Sequence, residues 1–386
     1  MSFADILDNS NLPQLRQQLD GITPARVETA LAKSPLNFSA FLALISPAAR
    51  PYLEEMAGRA RLITLQRFGR VILLYVPLYL SNVCTNSCRY CGFNVKRHRP
   101  RKTLSLDEIL AEAVYLKRWG FGHLLLVSGE APRILPVARL MEILSALKND
   151  FPSLSLEVYP LSGPAYAQVA EAGADGLTLY QETYHRQVYA AMHPAGRKRD
   201  FNWRLGAVER AGQAGFRRLG IGALLGLHDW RYEAIALALH ADYLMKRFWK
   251  THVTISVPRL INTPEDFTPP APLDDASLVQ LMLALRLYLP DAGLVLSTRE
   301  PARLRDQLIP LGVTQMSAGS RTEPGGYSRP AQEEAQFMVE DHRPPVQVAQ
   351  AIRQAGYEPV WKDWDCVMHE GYKDADRRQW DAQGRV

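Results

Sequence analysis

The sequence of 386 residues predicts an α/β fold, and the arrangement that best accounts for it is a (βα)8 TIM-type barrel. From residue 71 onward, eight short apolar runs rich in β-branched residues alternate with longer stretches of helical periodicity. Glycines follow five of the helical stretches, where a left-handed residue ends a helix: Gly120, Gly173, Gly215, Gly312 and Gly356. An open doubly wound sheet is the alternative architecture.

We expect three parts: a helical extension over 1–70, a barrel over 71–356 and a short tail over 357–386. In the extension, Thr23 and Pro24 suit an N-cap and a first helical turn, and apolar residues at helical spacing run over 47–68. The strands are predicted at 71–81, 123–129, 154–160, 176–182, 217–225, 252–258, 293–299 and 313–318. The barrel helices are predicted at 105–118, 137–149, 164–172, 203–214, 231–249, 274–289, 301–310 and 344–355.

The composition argues against several classes of protein. With 45 basic and 40 acidic residues, the net charge of +5 is small for a protein that coats nucleic acid. The N-terminus lacks the basic and apolar segments of a secretion signal, and the longest apolar run, 71–80, is too short to span a bilayer. We therefore expect a cytoplasmic protein with no membrane or nucleic-acid partner.

Three of the four cysteines lie within eight residues and form the clearest motif. Cys84, Cys88 and Cys91 have the spacing C-x3-C-x2-C, directly after the first predicted strand. Three thiolates can hold three irons of a [4Fe–4S] cluster and leave the fourth iron open to a small molecule. A zinc site with His98 as a fourth ligand is the alternative. Cys366 stands alone near the C-terminus, and we expect it to be a spare thiol.

This cysteine pattern, with an aromatic residue before the last cysteine, resembles the signature of the radical S-adenosylmethionine (SAM) enzymes. The resemblance implies that SAM binds the open iron and that one electron from the cluster cleaves it to methionine and a 5′-deoxyadenosyl radical. Tyr90 fills the aromatic position and would lie against the adenine. Ser128, Gly129 and Glu130 match the family's Gly-Gly-Glu motif for the SAM amino group, with serine in place of the first glycine.

Three further positions are implied to bind SAM by the same resemblance. Glu157 matches a ribose-binding acid, Arg204 matches an arginine that meets the SAM carboxylate, and Gly226 ends a G-x-I-x-G-like region beside the adenine. A purely structural role stays open for each of these SAM positions: packing for Tyr90, a turn for 128–130 and Gly226, an ion pair for Glu157 and a solvated helix position for Arg204. A cluster- or zinc-bearing binding module without catalysis is the alternative of a different class.

Six segments extend the resemblance to the radical SAM tyrosine lyases of thiamine biosynthesis: 75–82, 180–185, 256–260, 296–300, 324–327 and 361–365. Such enzymes cleave the Cα–Cβ bond of L-tyrosine to 2-iminoacetate (dehydroglycine) and p-cresol. Tryptophan or another aromatic amino acid is the alternative substrate. The hydrogenase maturase that also cleaves tyrosine carries a second cysteine cluster near its C-terminus, where this chain has only Cys366.

The substrate and catalytic positions follow from what a free amino acid requires. A carboxylate is best held by a planar cation, and we predict Arg299 for this role, with a structural ion pair to Glu300 as the alternative. By resemblance to the tryptophan lyase, the hydroxyls of Tyr79 and Ser317 would complete the carboxylate site, and packing or strand-end roles are the alternatives. Side chains after the fourth strand could polarise the substrate amine or phenol: Gln181, Glu182 and Tyr184.

The expected reaction begins with hydrogen abstraction from the tyrosine amine, and abstraction from the phenol is the rival. The basic run 96–102 after the cysteines predicts docking of an acidic flavodoxin or ferredoxin as reductant. A solvated loop without a binding role is the alternative. The resemblance also implies a complex with thiazole synthase, because iminoacetate hydrolyses readily.

Overall fold

The computed structural model describes residues 1–261, 263–264, 266–328 and 335–362. Its centre is a closed barrel of eight parallel strands, in which each strand pairs with the next along the chain and β8 and β2 both pair with β1. The strands are β1 Val71–Ser81, β2 His123–Ser128, β3 Ser153–Glu157, β4 Gly176–Thr178, β5 Arg218–Gly222, β6 His252–Ser256, β7 Gly293–Leu296 and β8 Gln315–Ser317. The predicted barrel is confirmed.

Fifteen α-helices lie in the described ranges. The first five precede the barrel: α1 Phe3–Asn9, α2 Leu12–Gln18, α3 Pro24–Leu31, α4 Phe38–Leu44 and α5 Leu53–Phe68. The others alternate with the strands or follow them: α6 Leu106–Arg118, α7 Val137–Leu147, α8 Gly163–Ala172, α9 Arg186–Met192, α10 Phe201–Leu205, α11 Ala207–Gln213, α12 Trp230–Arg247, α13 Asp275–Tyr288, α14 Ala302–Leu308 and α15 Pro345–Gln354. No helix in these ranges is long and apolar enough to cross a membrane.

The N-terminal helices pack on the outside of the barrel and share its core. Phe3, Phe41 and Met56 are buried in the same apolar cluster as Ile72 on the first strand. The helix α5 begins at Leu53 rather than near residue 47, because 47–52 form a 3-10 turn around Pro51, which lacks an amide hydrogen. The extension is therefore attached to the barrel through continuous apolar packing.

A capping box begins α6. Ser105 Oγ accepts a hydrogen bond from the Glu108 amide at 3.2 Å, and the Glu108 carboxylate accepts one from the Ser105 amide at 2.8 Å. Acidic residues occupy the first turn of this helix and basic residues the last, which complements the helix dipole. These local contacts fix where the first crossover helix begins.

Three expectations about element boundaries are wrong. The strands β3 and β4 end earlier than predicted, because the chain beyond them opens toward the cavity, although the Gln181 amide still donates to Gly222 O at 3.0 Å. The helix predicted at 203–214 is two helices joined at Gly206, and α9 was not predicted. A ninth strand, β9 Glu358–Val360, pairs with β1 where an irregular tail was expected. The rest of the tail, including Cys366, lies outside the described residues.

Candidate active site

A cavity opens at the carboxyl ends of the barrel strands, beside the cysteine loop. Its space, including the part that is open to solvent, is about 870 Å³. Polar and aromatic side chains from all parts of the barrel line it: Tyr75, Tyr79, Tyr90, Glu157, Tyr180, Glu182, Lys198, Arg299, Ser317, Gln336 and Phe337. The walls between them are apolar and include Leu125, Val127 and Leu224.

The cysteine loop is fixed from two sides by backbone hydrogen bonds. The Thr85 amide donates to Glu130 O at 2.9 Å, and the Arg89 amide donates to Met192 O at 3.1 Å. Asn86 Nδ2 donates to the Glu130 carboxylate at 2.7 Å, while Asn86 Oδ1 accepts from the Lys198 amide at 2.9 Å. The loop therefore has a defined shape that is set by the segments after β2 and after α9.

The three predicted cysteines are free thiols on this loop, and Cys91 lines the cavity. Burial raises the pKa of the Cys88 thiol to about 12 and raises the pKa of Cys91 as well, so a bound cation is needed to hold them as thiolates. In the described part of the chain, no three His, Cys, Asp or Glu side chains are gathered tightly enough for one metal ion.

The segment after β2 forms a close cradle against the cysteine loop. A Cβ atom on Gly129 would lie 2.3 Å from Val83 O and 3.1 Å from Cys84 Cβ, so only glycine fits there. The Ser128 hydroxyl is buried without a hydrogen-bond partner among the described residues. An unsatisfied buried hydroxyl and a backbone free of side chains fit a polar ligand group at this point, as the resemblance implies for the SAM amino group.

Tyr90 stands at the mouth of the cavity in a fixed orientation. Its hydroxyl lies 2.8 Å from His193 Nε2, and His193 Nδ1 lies 2.8 Å from Tyr189 O. Burial lowers the pKa of His193 to about 3, so the imidazole is neutral and donates from Nδ1 while Nε2 accepts from Tyr90. Gly226, with φ of +114°, brings the backbone after β5 close to Leu260 on the same side.

Glu182 has a strained backbone and two cationic partners. Its φ of +72° is in the left-handed region, which is unusual for a residue other than glycine. Lys198 Nζ lies 2.6 Å and an Arg204 nitrogen 3.3 Å from Glu182 Oε1, and Arg204 Nε donates to Tyr180 O at 2.7 Å. Burial alone would raise the pKa of Glu182, but the charges of Lys198 and Arg204 hold it below its ordinary value.

The opposite side of the cavity carries the predicted substrate residues. The guanidinium of Arg299 lies over the Phe337 ring at 3.6 Å and has no ion pair among the described residues. The predicted alternative partner, Glu300, is instead paired with Arg259, whose Nε donates to Glu300 Oε1 at 3.0 Å. Tyr79 Oη donates to Gln336 Oε1 at 2.6 Å, and the Ser317 hydroxyl accepts from the Thr298 amide at 3.0 Å.

Two predicted catalytic side chains are not brought together with the others. Tyr184 Oη lies 2.8 Å from His240 Nδ1, outside the barrel, and its ring packs edge-on against Phe3 of α1. The Gln181 side chain approaches the backbone oxygen of Phe201 at 3.5 Å and does not line the cavity. Side chains alternate across a strand, so Tyr180 and Glu182 point inward while Gln181 points outward. Only Glu182 of the three lines the cavity.

Sequence reasoning missed several cavity residues. Lys198 lies in the run Arg197–Arg199, which is indistinguishable in sequence from a solvated loop, and Gln336 lies well beyond the last barrel strand. His193, the partner of Tyr90, was also missed. Their positions follow from long-range loop packing, so no local signal marks them.

Comparisons with known proteins agree with this architecture. Residues 78–239 match the model of the Radical SAM superfamily, and residues 256–358 match the Biotin and Thiamin Synthesis associated domain. The chain is 43% identical to 2-iminoacetate synthase of Escherichia coli (strain K12) over 368 residues, covering 95% of this chain and 98% of the relative. The corresponding Salmonella typhimurium enzyme is 42% identical over the same shares of both chains.

Solved structures with the same fold include two of HydG, a maturase of the [FeFe]-hydrogenase. One superposes with a TM-score of 0.86 and 31% identity, covering 92% of this chain and 81% of that one. The HydG from Carboxydothermus hydrogenoformans has a TM-score of 0.80 and 34% identity, with 93% and 82% covered. Methylornithine synthase (PylB), with a TM-score of 0.70 and 21% identity over 87% of this chain and 97% of that one, shares the fold.

Proposed function

Because the chain belongs to the 2-iminoacetate synthase family of radical SAM enzymes, we propose that its substrate is L-tyrosine. Cleavage of the Cα–Cβ bond then gives 2-iminoacetate (dehydroglycine) and p-cresol. The observation that carries this proposal is Arg299, a cation without an ion pair among the described residues, in an aromatic-lined cavity beside the cysteine loop. The match of 256–358 to a thiamine-synthesis domain supports a role in making the thiazole of thiamine.

The cofactors of this family are a [4Fe–4S] cluster and SAM, which together supply a 5′-deoxyadenosyl radical that abstracts hydrogen. In our proposal Cys84, Cys88 and Cys91 hold the cluster. The cradle at 128–130 takes the SAM amino group, Tyr90 and Gly226 flank the adenine, and Arg204 serves the SAM carboxylate. The free Ser128 hydroxyl and the close approach at Gly129 support this assignment.

Arg299 then binds the substrate carboxylate through its planar fork, with the hydroxyls of Tyr79 and Ser317 beside it. Phe337 covers one face of the guanidinium and excludes water from it, which strengthens the ion pair with a carboxylate. The three side chains come from adjacent strands β7, β8 and β1, so they form one continuous wall. This wall fixes the amino-acid end of the substrate.

Hydrogen abstraction from the substrate amine requires the neutral amine, so a nearby base must take the ammonium proton. Glu182 is the predicted catalytic residue that lines the cavity, and in our proposal its carboxylate polarises the amine; the pKa lowered by Lys198 and Arg204 makes it a weak proton acceptor, so the proton passes to another base. With substrate whose amine hydrogens are exchanged for deuterium, we expect deuterium in 5′-deoxyadenosine. Its absence would support abstraction from the phenol instead.

We propose that an acidic flavodoxin or ferredoxin delivers the electron at the basic run 96–102. Arg101 of this run donates to the backbone oxygens of Asn82, Phe93 and Asn94, so it holds the cysteine loop rather than a partner. Lys96 and His98 are exposed and remain available for docking. Delivery of iminoacetate to thiazole synthase in the cytoplasm completes the proposal.

Product analysis tests the proposed substrate. The anaerobically reconstituted protein is reduced with SAM present and offered L-tyrosine and L-tryptophan in parallel. We expect p-cresol, 5′-deoxyadenosine and glyoxylate, the hydrolysis product of iminoacetate, from tyrosine. An indole-derived product from tryptophan, with no p-cresol from tyrosine, would overturn the choice of substrate.

A further inference from the structure

Glu157 is the candidate group for recognising the tyrosine ring, a role that rests on the proposed function. Glu157 ends β3 and lines the cavity. Unlike Glu182, its carboxylate has no hydrogen bond or ion pair among the described residues. A partly buried carboxylate without a partner is energetically unfavourable, and a ligand group that donates a hydrogen bond to it would offset that cost.

The barrel topology places Glu157 across from the wall formed by Arg299, Tyr79 and Ser317, which binds the substrate carboxylate in our proposal. The closed strand order runs from β1 to β8, so β3 and β7 are four strands apart and face each other through the interior. Arg299 follows β7, and its neighbours Tyr79 and Ser317 lie on β1 and β8. An amino acid held at Arg299 by its carboxylate therefore extends its side chain across the barrel toward β3.

The path between the two ends suits an aromatic ring. Pairing of Tyr79 with Val127 and of Val127 with Glu157 places these residues at one level of adjacent strands. Val127, Leu125 and the ring of Tyr180 line the cavity between the polar ends. The cavity thus has a cation at one end, an apolar middle and a lone carboxylate at the other end.

Glu157 lies near enough to Glu182, Arg204 and Lys198 to be affected by their charges, but it is hydrogen-bonded to none of them. Glu182 is the acid on the Tyr90 side, because it is paired with Lys198, whose ammonium lies 5.7 Å from the centre of the Tyr90 ring. Burial, and then the negative charge of Glu182, raises the pKa of Glu157 to about 7, and a hydrogen bond donated to its carboxylate would lower that pKa again.

We propose that Glu157 accepts a hydrogen bond from the phenolic hydroxyl of the substrate and thereby selects a 4-hydroxyphenyl ring over an unsubstituted one. Without the hydroxyl, the bound ligand would leave the carboxylate unpaired and cut off from water. Sites built around such a hydrogen bond discriminate strongly against analogues that lack it. Glu157 is in this role a specificity residue, and the SAM ribose is left to other groups.

Binding measurements test this without turnover. The reconstituted protein with SAM, kept unreduced, is titrated with L-tyrosine and L-phenylalanine by equilibrium dialysis. We expect the wild type to bind tyrosine at least about 30-fold more tightly than phenylalanine. Glu157→Leu should remove this preference by weakening tyrosine binding, while Glu157→Gln, which keeps an acceptor oxygen, should retain much of it.

The matched control is Glu233→Gln, a buried acid held by the Tyr184 amide at 2.8 Å outside the cavity, which should keep the wild-type preference. A wild type that does not distinguish the two ligands overturns the proposal, even if Glu157→Leu fails to fold. Loss of SAM affinity in Glu157→Leu, or equal loss for both amino acids, also overturns it. Failure of the proposed function is separate, because it shows as absence of p-cresol on turnover.

Discussion

At the scale of single residues, close approach of two backbone segments explains why certain positions accept only glycine. Gly129 is the sharpest case, because a Cβ there would lie 2.3 Å from a backbone oxygen of the cysteine loop. Backbone cannot move away as a flexible side chain can. The shape of the loop that presents the thiols therefore depends on the absence of one methyl group.

Gly129→Ala should reduce cluster loading. The added methyl group displaces Val83 and with it the neighbouring Cys84, so we expect iron and sulfide per chain after anaerobic reconstitution to fall well below the wild-type content. The control is Gly58→Ala on the exposed face of α5, where a Cβ meets no atom within 4 Å. That variant should load normally and gain up to about 1 kcal/mol of stability. Equal loading of the two variants would contradict the prediction.

Arg299→Lys should weaken substrate binding although the charge is kept. A point-like ammonium cannot make the two parallel hydrogen bonds of the guanidinium fork or stack on Phe337. We expect kcat/KM for tyrosine to fall about 100-fold, which corresponds to about 2.7 kcal/mol, with SAM affinity unchanged. Steady-state kinetics and SAM dialysis check this. A variant with wild-type KM would assign Arg299 a structural role.

At the residue level, the structure brings together the segments that the local motifs marked, while the roles of their residues stay predictions. The cysteines and the 128–130 segment face one another across the loop as the motif implies. Lys198 and Gln336 could not be predicted, because each becomes a cavity residue only when a distant loop folds over the barrel. Tyr184 was misplaced because the alternation of side chains continues past β4 only as far as Glu182, where the left-handed backbone turns the chain.

At the scale of elements, one buried ion pair anchors the segment after β8. Arg305 of α14 is fully buried; it donates to the Asp341 carboxylate and to the backbone oxygen of Ser317. The same guanidinium thus joins a helix, a strand end and the chain that carries Phe337. The wall that holds Arg299 depends on this connection.

Arg305→Met should lower the free energy of unfolding by about 1.5–3 kcal/mol, because it removes the buried donor to Asp341 and to Ser317 O, while Arg343 still pairs with Asp341. Urea unfolding under anaerobic conditions measures the change. Lys246→Met, which breaks the exposed pair of Lys246 with Asp242 on α12, is the control and should change stability by about 0.5 kcal/mol or less. Similar losses in both variants would show that burial does not set the energy here.

The sequence identified all eight barrel strands because each is a short apolar run between helical patterns. It overextended β4 and β7, since the chain leaving a barrel strand toward the cavity stays extended after regular pairing ends, and single hydrogen bonds such as that from Gln181 to Gly222 O persist. The strand β9 was missed because three residues over 358–360 carry too little pattern, and its pairing with β1 is decided by tertiary packing.

At the scale of the whole molecule, buried acids and buried histidines have opposite effects on how the free energy of unfolding changes with pH. Burial raises the pKa of Glu157 and of Glu233 to about 7 from an ordinary 4.5. Between these values the folded chain keeps protons that the unfolded chain releases, so these acids make stability fall as the pH rises from about 4.5 to 7. Buried histidines such as His240, with pKa lowered to about 3, make stability fall as the pH drops below 6.5.

Glu233→Gln removes the contribution of one buried acid to the pH dependence of stability. The amide cannot ionise, so the variant escapes the rising penalty that the wild type meets between pH 5 and pH 8. We expect the stability of the variant relative to the wild type to increase over this interval by on the order of 1–3 kcal/mol. Denaturant unfolding at the two pH values checks this, and a difference that does not change with pH would contradict it.

The strands that pair with β1 determine when its surroundings are complete during synthesis of the chain. The strand that leads into the cysteine loop is completed only by β8 and β9, which follow it by most of the sequence. As the chain leaves the ribosome, the three thiols emerge early, yet the wall behind them cannot form until translation has passed residue 317. The surroundings of the three thiols are therefore complete only late in synthesis, and until then the nascent cysteines depend on a reducing environment.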